Sequence, residues 1–236
     1  MPAEHPANRV LASLSRADLQ QWQPHLERVE LPADRTLQTP GAPVDFVHFP
    51  MGALVGLMRA DDRGAWEAPV ALVGHDGVVG MAPLLGVGVD RTRAVVLQAG
   101  GAWRLPAAVL QTHPPEQSGV LHVAFRYLQA LNGQIAQNAL CRLHHTLTQR
   151  LCRWLLDAFD RVPNDALDID VAALGDWLDA DADAIRLAAG ELTTDGVIQR
   201  QPGRTVLRDR AALAQRACSC HALLRLQSEQ LFPPAG

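Results

Sequence analysis

The sequence predicts an α+β chain in three parts: an N-terminal all-β roll, one long helix, and a C-terminal winged helix-turn-helix. Three observations predict it. Short apolar runs bounded by Gly, Pro and Asp fill residues 29–105. A segment free of proline, with Gly119 and Gly133 its only glycines, then runs from Gln117 to Arg142. Beyond it, two short amphipathic segments joined through DADAD precede a Pro-Gly hairpin.

Residues 10–26 come first and read as one or two short helices. Ser15 is a helix cap, and Leu14, Leu19, Trp22 and Leu26 supply an apolar face. The roll follows, with strand-like runs VDFVHFP, ALVGLM, APVALV, GVVGM, RAVVLQA and AWRLP. LPADR, TPGAP, RADDRG and VGHDG are its turn signals. The texture changes after His113-Pro114-Pro115. Leu121, Ala124, Leu128, Leu131, Ile135 and Asn138 recur at spacings of three and four, the pattern of a heptad seam and of a homodimer, although a single helix packed on its own roll shows an apolar stripe too. Val123, Phe125 and Tyr127 lie off that seam and are expected to cover the roll.

A helix is expected over His145–Val162, with Leu147, Leu151, Trp154, Leu155 and Ala158 on one face and Pro163-Asn164-Asp165 as its stop. Two short helices follow, Val171–Leu178 and Ala182–Thr194. Ala172, Leu174 and Leu178 pack the first; Ile185, Ala188, Ala189 and Leu192 pack the second. VIQRQPGRTVLRD reads as strand, turn and strand, with Pro202-Gly203 at the tip. One last helix is expected from its cap, Asp209, to just before Phe232-Pro233-Pro234. Helix, tight turn, helix and hairpin make a winged helix-turn-helix. The expected domains are 1–114 for the roll, 115–142 for the dimerisation helix and 143–236 for the winged domain.

Four stretches carry a resemblance in order along nearly the whole chain. They are VDFVHFPMGALVGLM and VALVGHDGVVGMAPLLG in the roll, HHTLTQRLCRWLLDAFDRVP before the winged domain, and the segment ending RTVLRDRAALAQRACSCH. Their combination resembles the catabolite-activator and fumarate-nitrate (Crp/Fnr) superfamily of bacterial transcription regulators. The resemblance implies that the roll is a double-stranded β-helix, a cyclic-nucleotide-binding-like jelly roll. It also implies a long dimer helix and a DNA-binding winged domain.

Two departures from that pattern stand out. The family's cyclic-AMP pocket pairs Gly-Glu with Arg-Ser or Arg-Thr, and the matching positions here are Gly77-Val78 and Arg91-Thr92. Gly77, Arg91 and Thr92 are therefore the candidate ligand residues. Cyclic AMP is not expected as the ligand, because Val78 stands where a carboxylate would hold the ribose. The second departure is charge. Asp168 to Asp195 holds eight acids (Asp168, Asp170, Asp176, Asp179, Asp181, Asp183, Glu191 and Asp195) against Arg186 alone, a balance of −7. DNA affinity rests on neutralising phosphates, which these acids oppose. The basic candidates for DNA contact are Arg186, Arg200, Arg204 and Arg208.

The remaining composition excludes more than it assigns. Of 236 residues, 48% are hydrophobic and 19% charged, as in a globular chain, and no apolar run is long enough to span a membrane. MPAEHPANRV lacks the basic-then-apolar layout of a signal peptide, so a cytoplasmic protein is expected. Cys141, Cys152, Cys218 and Cys220 are expected to be free thiols. No metal site is expected. Cys218 and Cys220 lie two apart on the anticipated last helix, and His144 and His145 beside Cys141 diverge by about 100°. His48, His75 and Asp76 stand without a positioned nucleophile, so neither enzyme chemistry nor a cofactor is expected. Two function classes remain. One is a homodimeric transcription regulator that meets double-stranded DNA. The other is a DNA-binding-deficient regulator on the same scaffold, whose acidic helix docks a protein.

Overall fold

A computed structural model describes residues 8–60, 67–112 and 119–232. The chain opens with two short helices, α1 (Arg9–Ala12) and α2 (Arg16–Trp22). Asn8 caps α1 and is itself fully buried, donating its amide to Pro50 O at 2.9 Å and Gly77 O at 2.8 Å. Ser15 caps α2 by accepting from the Asp18 amide, as expected.

Among the described residues, seven strands build the roll: β1 (Glu27–Leu31), β2 (Thr36–Gln38), β3 (Phe46–Pro50), β4 (Leu54–Ala60), β5 (Glu67–Val73), β6 (Thr92–Gln98) and β7 (Gly100–Pro106). They form two antiparallel sheets, ordered β1-β7-β3 and β2-β6-β4-β5. Alternate residues point inward, so Leu31, Val55, Ala71, Val73 and Val96 form the interior. Five of the six apolar runs are strands. GVVGM is not; it contributes one bridge, Val79 to His48, while Val78 and Val79 stay buried. Asp34 and Gly41 take positive φ in the expected turns LPADR and TPGAP. RADDRG falls largely, and the 114/115 boundary wholly, outside the described residues.

After α3 (Val109–Thr112) the chain enters α4 (Val120–His144), 25 residues long. His145 is extended and ends α4; Thr146 caps α5 (Leu147–Phe159) in a capping box with Gln149. Only His145 and Thr146 therefore separate the two helices. A short strand, β8 (Ala166–Leu167), pairs with the hairpin β9 (Ile198–Gln201) and β10 (Arg204–Leu207) in the order β8-β10-β9. The sequence pattern did not indicate β8, because two residues cannot show an alternation.

The expected helix Val171–Leu178 is split into a 3₁₀ turn, Val171–Ala173, and α6 (Gly175–Leu178). Asp170 caps the turn, and Gly175 is a poor continuation of it. Asp179, with φ 48°, turns the chain into α7 (Ala182–Thr194), which Asp181 caps. The expected last helix is also two: α8 (Arg210–Arg216) and α9 (Cys220–Leu231), separated by a break that begins at an extended Ala217.

The winged domain leans on the roll of its own chain. Leu54 and Leu72 from the roll share one core with Leu155, Phe159, Leu178 and Ile185. Trp154 and Trp177 meet edge-on at 6.0 Å. Trp177 lies so close to Gly56 that a Cβ there would sit 2.7 Å from its ring. Buried Arg161 bridges to Asp76 at 3.1 Å. Among the described residues, no helix is long and apolar enough to cross a membrane.

Candidate functional site

The winged domain presents its candidate arginines already engaged by its own side chains. Arg186 pairs with Asp183 one turn earlier on α7. On the wing, Arg204 pairs with Asp168 at 3.0 Å, and Arg200 lies 3.9 Å from Asp170. Arg208 donates to the Gln199 side-chain carbonyl at 3.0 Å. The cause is local: the segment before the helix-turn-helix packs against the wing, which brings Asp168 and Asp170 beside β9 and β10. Between these pairs the outer face of α7 exposes Asp181, Asp183, Glu191 and Leu187, the last 70% accessible. This face therefore carries little positive charge that is not already paired.

A second feature is a cavity of about 320 Å³ in the roll. Its wall is mainly apolar, formed by Leu57, Val78, Met81, Leu85, Leu128 and Leu131. Arg91 and Thr92 line it too, so this part of the expected ligand set converges. Gly77 does not belong to it. A Cβ at Gly77 would lie 2.7 Å from the Tyr127 hydroxyl, so this glycine lets α4 approach the roll. Val78, 1% exposed, offers no hydrogen bond to a bound hydroxyl. Leu128 and Leu131 extend the wall from the long helix α4.

The face that α4 offers to solvent is not the expected seam. Ala124 is buried, and Leu128 and Leu131 pack on the roll. Asn138 is committed to its own chain: it donates to Val70 O at 2.7 Å and accepts from Arg153. Leu121 is half-buried and Ile135 is 37% exposed. The open stripe lies roughly 90° around the helix. It carries Phe125, Leu140 and Leu143, at 59, 50 and 76% exposure. Phe125 therefore points away from the roll it was expected to cover, whereas Val123 and Tyr127 do pack on it. The heptad spacing and a roll-facing stripe look alike in one dimension, and the roll claims the larger share.

The four cysteines are free thiols and buried. The expectation that Cys218 and Cys220 point to different faces of one helix does not hold. Cys218 precedes α9 and Cys220 opens it, so helical spacing does not apply between them. Cys141, His145, Cys218 and Cys220 converge, with their ligand atoms all within 4.8 Å of one another. His144 is exposed and takes no part. Cys152 stands apart in the winged-domain core, where burial pushes its thiol up to about 11.

No family model and no curated protein matches this chain. Solved structures do. FixK2 from Bradyrhizobium japonicum superposes with a TM-score of 0.66 at 15% identity, covering 82% of this chain and 98% of that one. A CRP-family transcriptional regulator from Thermus thermophilus gives 0.62 at 18%, covering 80% and 96%. The c-di-GMP-responsive global regulator CLP of Xanthomonas campestris gives 0.61 at 16%, covering 82% and 99%. The chain has the fold of Crp/Fnr-type regulators, as the sequence resemblance implied.

Proposed function

We propose that the chain is a homodimeric transcription regulator, with the roll as sensor and the winged domain as DNA reader. The observation that carries it is the order of parts. A cavity-bearing roll feeds a long helix whose leucines line that cavity, and the same helix leads through a two-residue joint into a winged helix-turn-helix. Dimerisation through the open stripe of α4, with Phe125, Leu140 and Leu143 at its centre, would bury the apolar surface exposed there.

Cyclic AMP does not suit the sensor. Arg91 is available for a phosphate, but Val78 leaves a ribose hydroxyl unpaired in an apolar wall. A ligand with an apolar body and one acidic group suits it better. The free buried thiols agree with a reducing cytoplasm.

The arginine–aspartate pairs and exposed Leu187 support a second reading, in which the acidic face of α7 docks a basic protein surface. One experiment separates the two. The tagged full-length protein is used to capture fragments of its own genome and proteins from its own lysate. Enrichment of a palindromic DNA sequence that competes as a short duplex supports the regulator. Absence of enriched DNA, with a protein captured by wild type and lost on Asp183→Lys, would select the docking role.

A further inference from the structure

Three cysteines and a histidine that are far apart in sequence meet where α4, α5 and the tail come together. Cys141 sits in the last turn of α4, and His145 is the residue that ends it. Cys218 lies in the break between α8 and α9, and Cys220 opens α9. Cys141 Sγ is 3.5 Å from Cys218 Sγ, and Cys220 Sγ is 3.5 Å from His145 Nδ1. The three cysteines are at most 6% exposed, while His145 is half-buried and gives the group an opening to solvent.

We propose that Cys141, His145, Cys218 and Cys220 form a tetrahedral Zn²⁺ site that staples the α4–α5 joint to the C-terminal helix.

The distances fit one ion. Zn–S bonds of about 2.3 Å and Zn–N bonds of about 2.0 Å give tetrahedral edges of about 3.8 Å between sulfurs and about 3.5 Å from sulfur to nitrogen. The two observed edges are close to these. A disulfide needs about 2.05 Å, so Cys141 and Cys218 are not joined. An iron–sulfur cluster spreads its protein ligands over two or more irons, more widely than four ligand atoms all within 4.8 Å of one another allow. Three sulfurs and one imidazole exclude hard ions such as Mg²⁺ and Ca²⁺.

The surroundings also suit thiolates. The Gln137 amide donates to Cys220 Sγ at 3.0 Å. Three thiolates around one Zn²⁺ leave a net charge of −1; buried Arg153 is already paired with Asp157 at 2.8 Å, so that charge is met through the half-buried, solvent-facing His145 side. Binding involves no redox step: each protonated thiol gives its proton to solvent as its Zn–S bond forms. The ion would hold His145, which ends α4 beside the cap of α5, so its presence would fix the angle at which the winged domain leaves the long helix. The site stands without the regulator reading; only its effect on DNA rests on it.

The test uses full-length protein, reduced, stripped with chelator and kept anaerobic. Titration with Co²⁺ should saturate at one ion per chain. It should show the visible d–d bands of tetrahedral cobalt and a near-ultraviolet thiolate-to-cobalt band, both abolished by one equivalent of Zn²⁺. Cys220→Ser and His145→Ala should lose the spectrum, and Cys152→Ala should keep it. Gln137→Leu, which removes no ligand, should weaken Zn²⁺ binding by about 10- to 100-fold. Zn²⁺ at about a thousand times its dissociation constant should raise the melting temperature by on the order of 10 °C. A wild-type titration without thiolate charge transfer, or saturating well below one ion per chain, overturns the proposal whatever the variants do. So does a Cys141–Cys218 disulfide in freshly isolated protein. Metal binding without any DNA binding would keep the site and remove only the regulator reading.

Discussion

If its own acids restrain the arginines of the winged domain, neutralising those acids should create DNA affinity. The perturbation is Asp168→Asn, Asp170→Asn and Asp183→Asn together, which releases Arg204, Arg200 and Arg186. Local charge over residues 168–195 rises from −7 to −4, one unit for each acid removed. Asparagine is chosen because Asp170 caps its 3₁₀ turn and Asn caps as well as Asp. Asp181 is left alone because it accepts from the Ala184 amide at 2.8 Å and starts α7. All three acids are more than half exposed, so each pair contributes only about 0.2–1 kcal/mol and the fold should survive. The effect on DNA is larger. At about 0.9 in salt slope per phosphate contact, three freed guanidiniums add up to about 2.7, or about 40-fold across a fourfold change in salt. Fluorescence anisotropy with a random duplex, between about 50 and 200 mM KCl, reads both the affinity and the slope. A folded, dimeric triple variant with wild-type affinity and slope would refute the restraint. Nanomolar binding by wild type to a specific site would show that the pairs open readily.

Leu140→Asp with Leu143→Asp should give stable monomers in sedimentation velocity, whereas Leu128→Asp should cost roughly 2–5 kcal/mol by unseating α4 from the roll; a dimeric Leu140/Leu143 variant would place the interface elsewhere. Cyclic AMP should bind no tighter than the high-micromolar range, about −5 to −6 kcal/mol by calorimetry, and a submicromolar constant would mean that another group does the work of the missing carboxylate. Gly56→Ala should push Trp177 out of its seat and raise amide exchange across residues 175–178; unchanged exchange there would show that Trp177 does not hold the winged domain on the roll. His48 is held down to about 4 by burial, then by Arg35 and Arg104. Its folded pKa lies below the unfolded value of about 6.5, so the unfolded chain takes up the proton first. Stability should therefore fall between about pH 6.5 and 4, by up to about 3 kcal/mol, and His48→Gln should flatten that slope in denaturant titrations.

Much of the fold was legible because its elements announce themselves locally. Ser15 and Asp209, the two expected caps, act by hydrogen bonds that need only their immediate neighbours, as do Thr146 and Asp181, which are not among the expected caps. The strands show as short apolar runs bounded by Gly, Pro and Asp, and Gly203 with φ 67° makes the two-residue wing turn between Gln201 and Arg204. What one dimension does not contain is which partner an apolar face meets. Leu128 and Leu131 satisfy a heptad as well as they satisfy the roll, and Phe125 changes role with the rotation of one helix. The acidity of the winged domain was legible as a sum. Its geometry was not, because Asp168 and Asp170 reach the wing arginines only through the short strand β8, which no pattern foretells.

The cysteine cluster shows how a sound rule fails on a wrong premise. Residues two apart on a helix do point to different faces, but Cys218 and Cys220 share no helix. The break has a physical origin. Ala217 is extended, and Ser219 and Cys220 restart the chain as a new helix against α4. Gln227 of that helix crosses α4 at Gly133, where a Cβ would come within 2.2 Å of the Gln227 carbonyl oxygen. The contact is made by the flexible end of the Gln227 side chain, which packs over the glycine. At its start α9 brings Cys220 within reach of Gln137 on α4 and of His145 just past the end of that helix. The usable signal was a Cys-x₃-His pair straddling the end of a long helix: the helix places Cys141, and the extended residue that ends it places His145, so two metal-binding side chains stand where a neighbouring segment can add others.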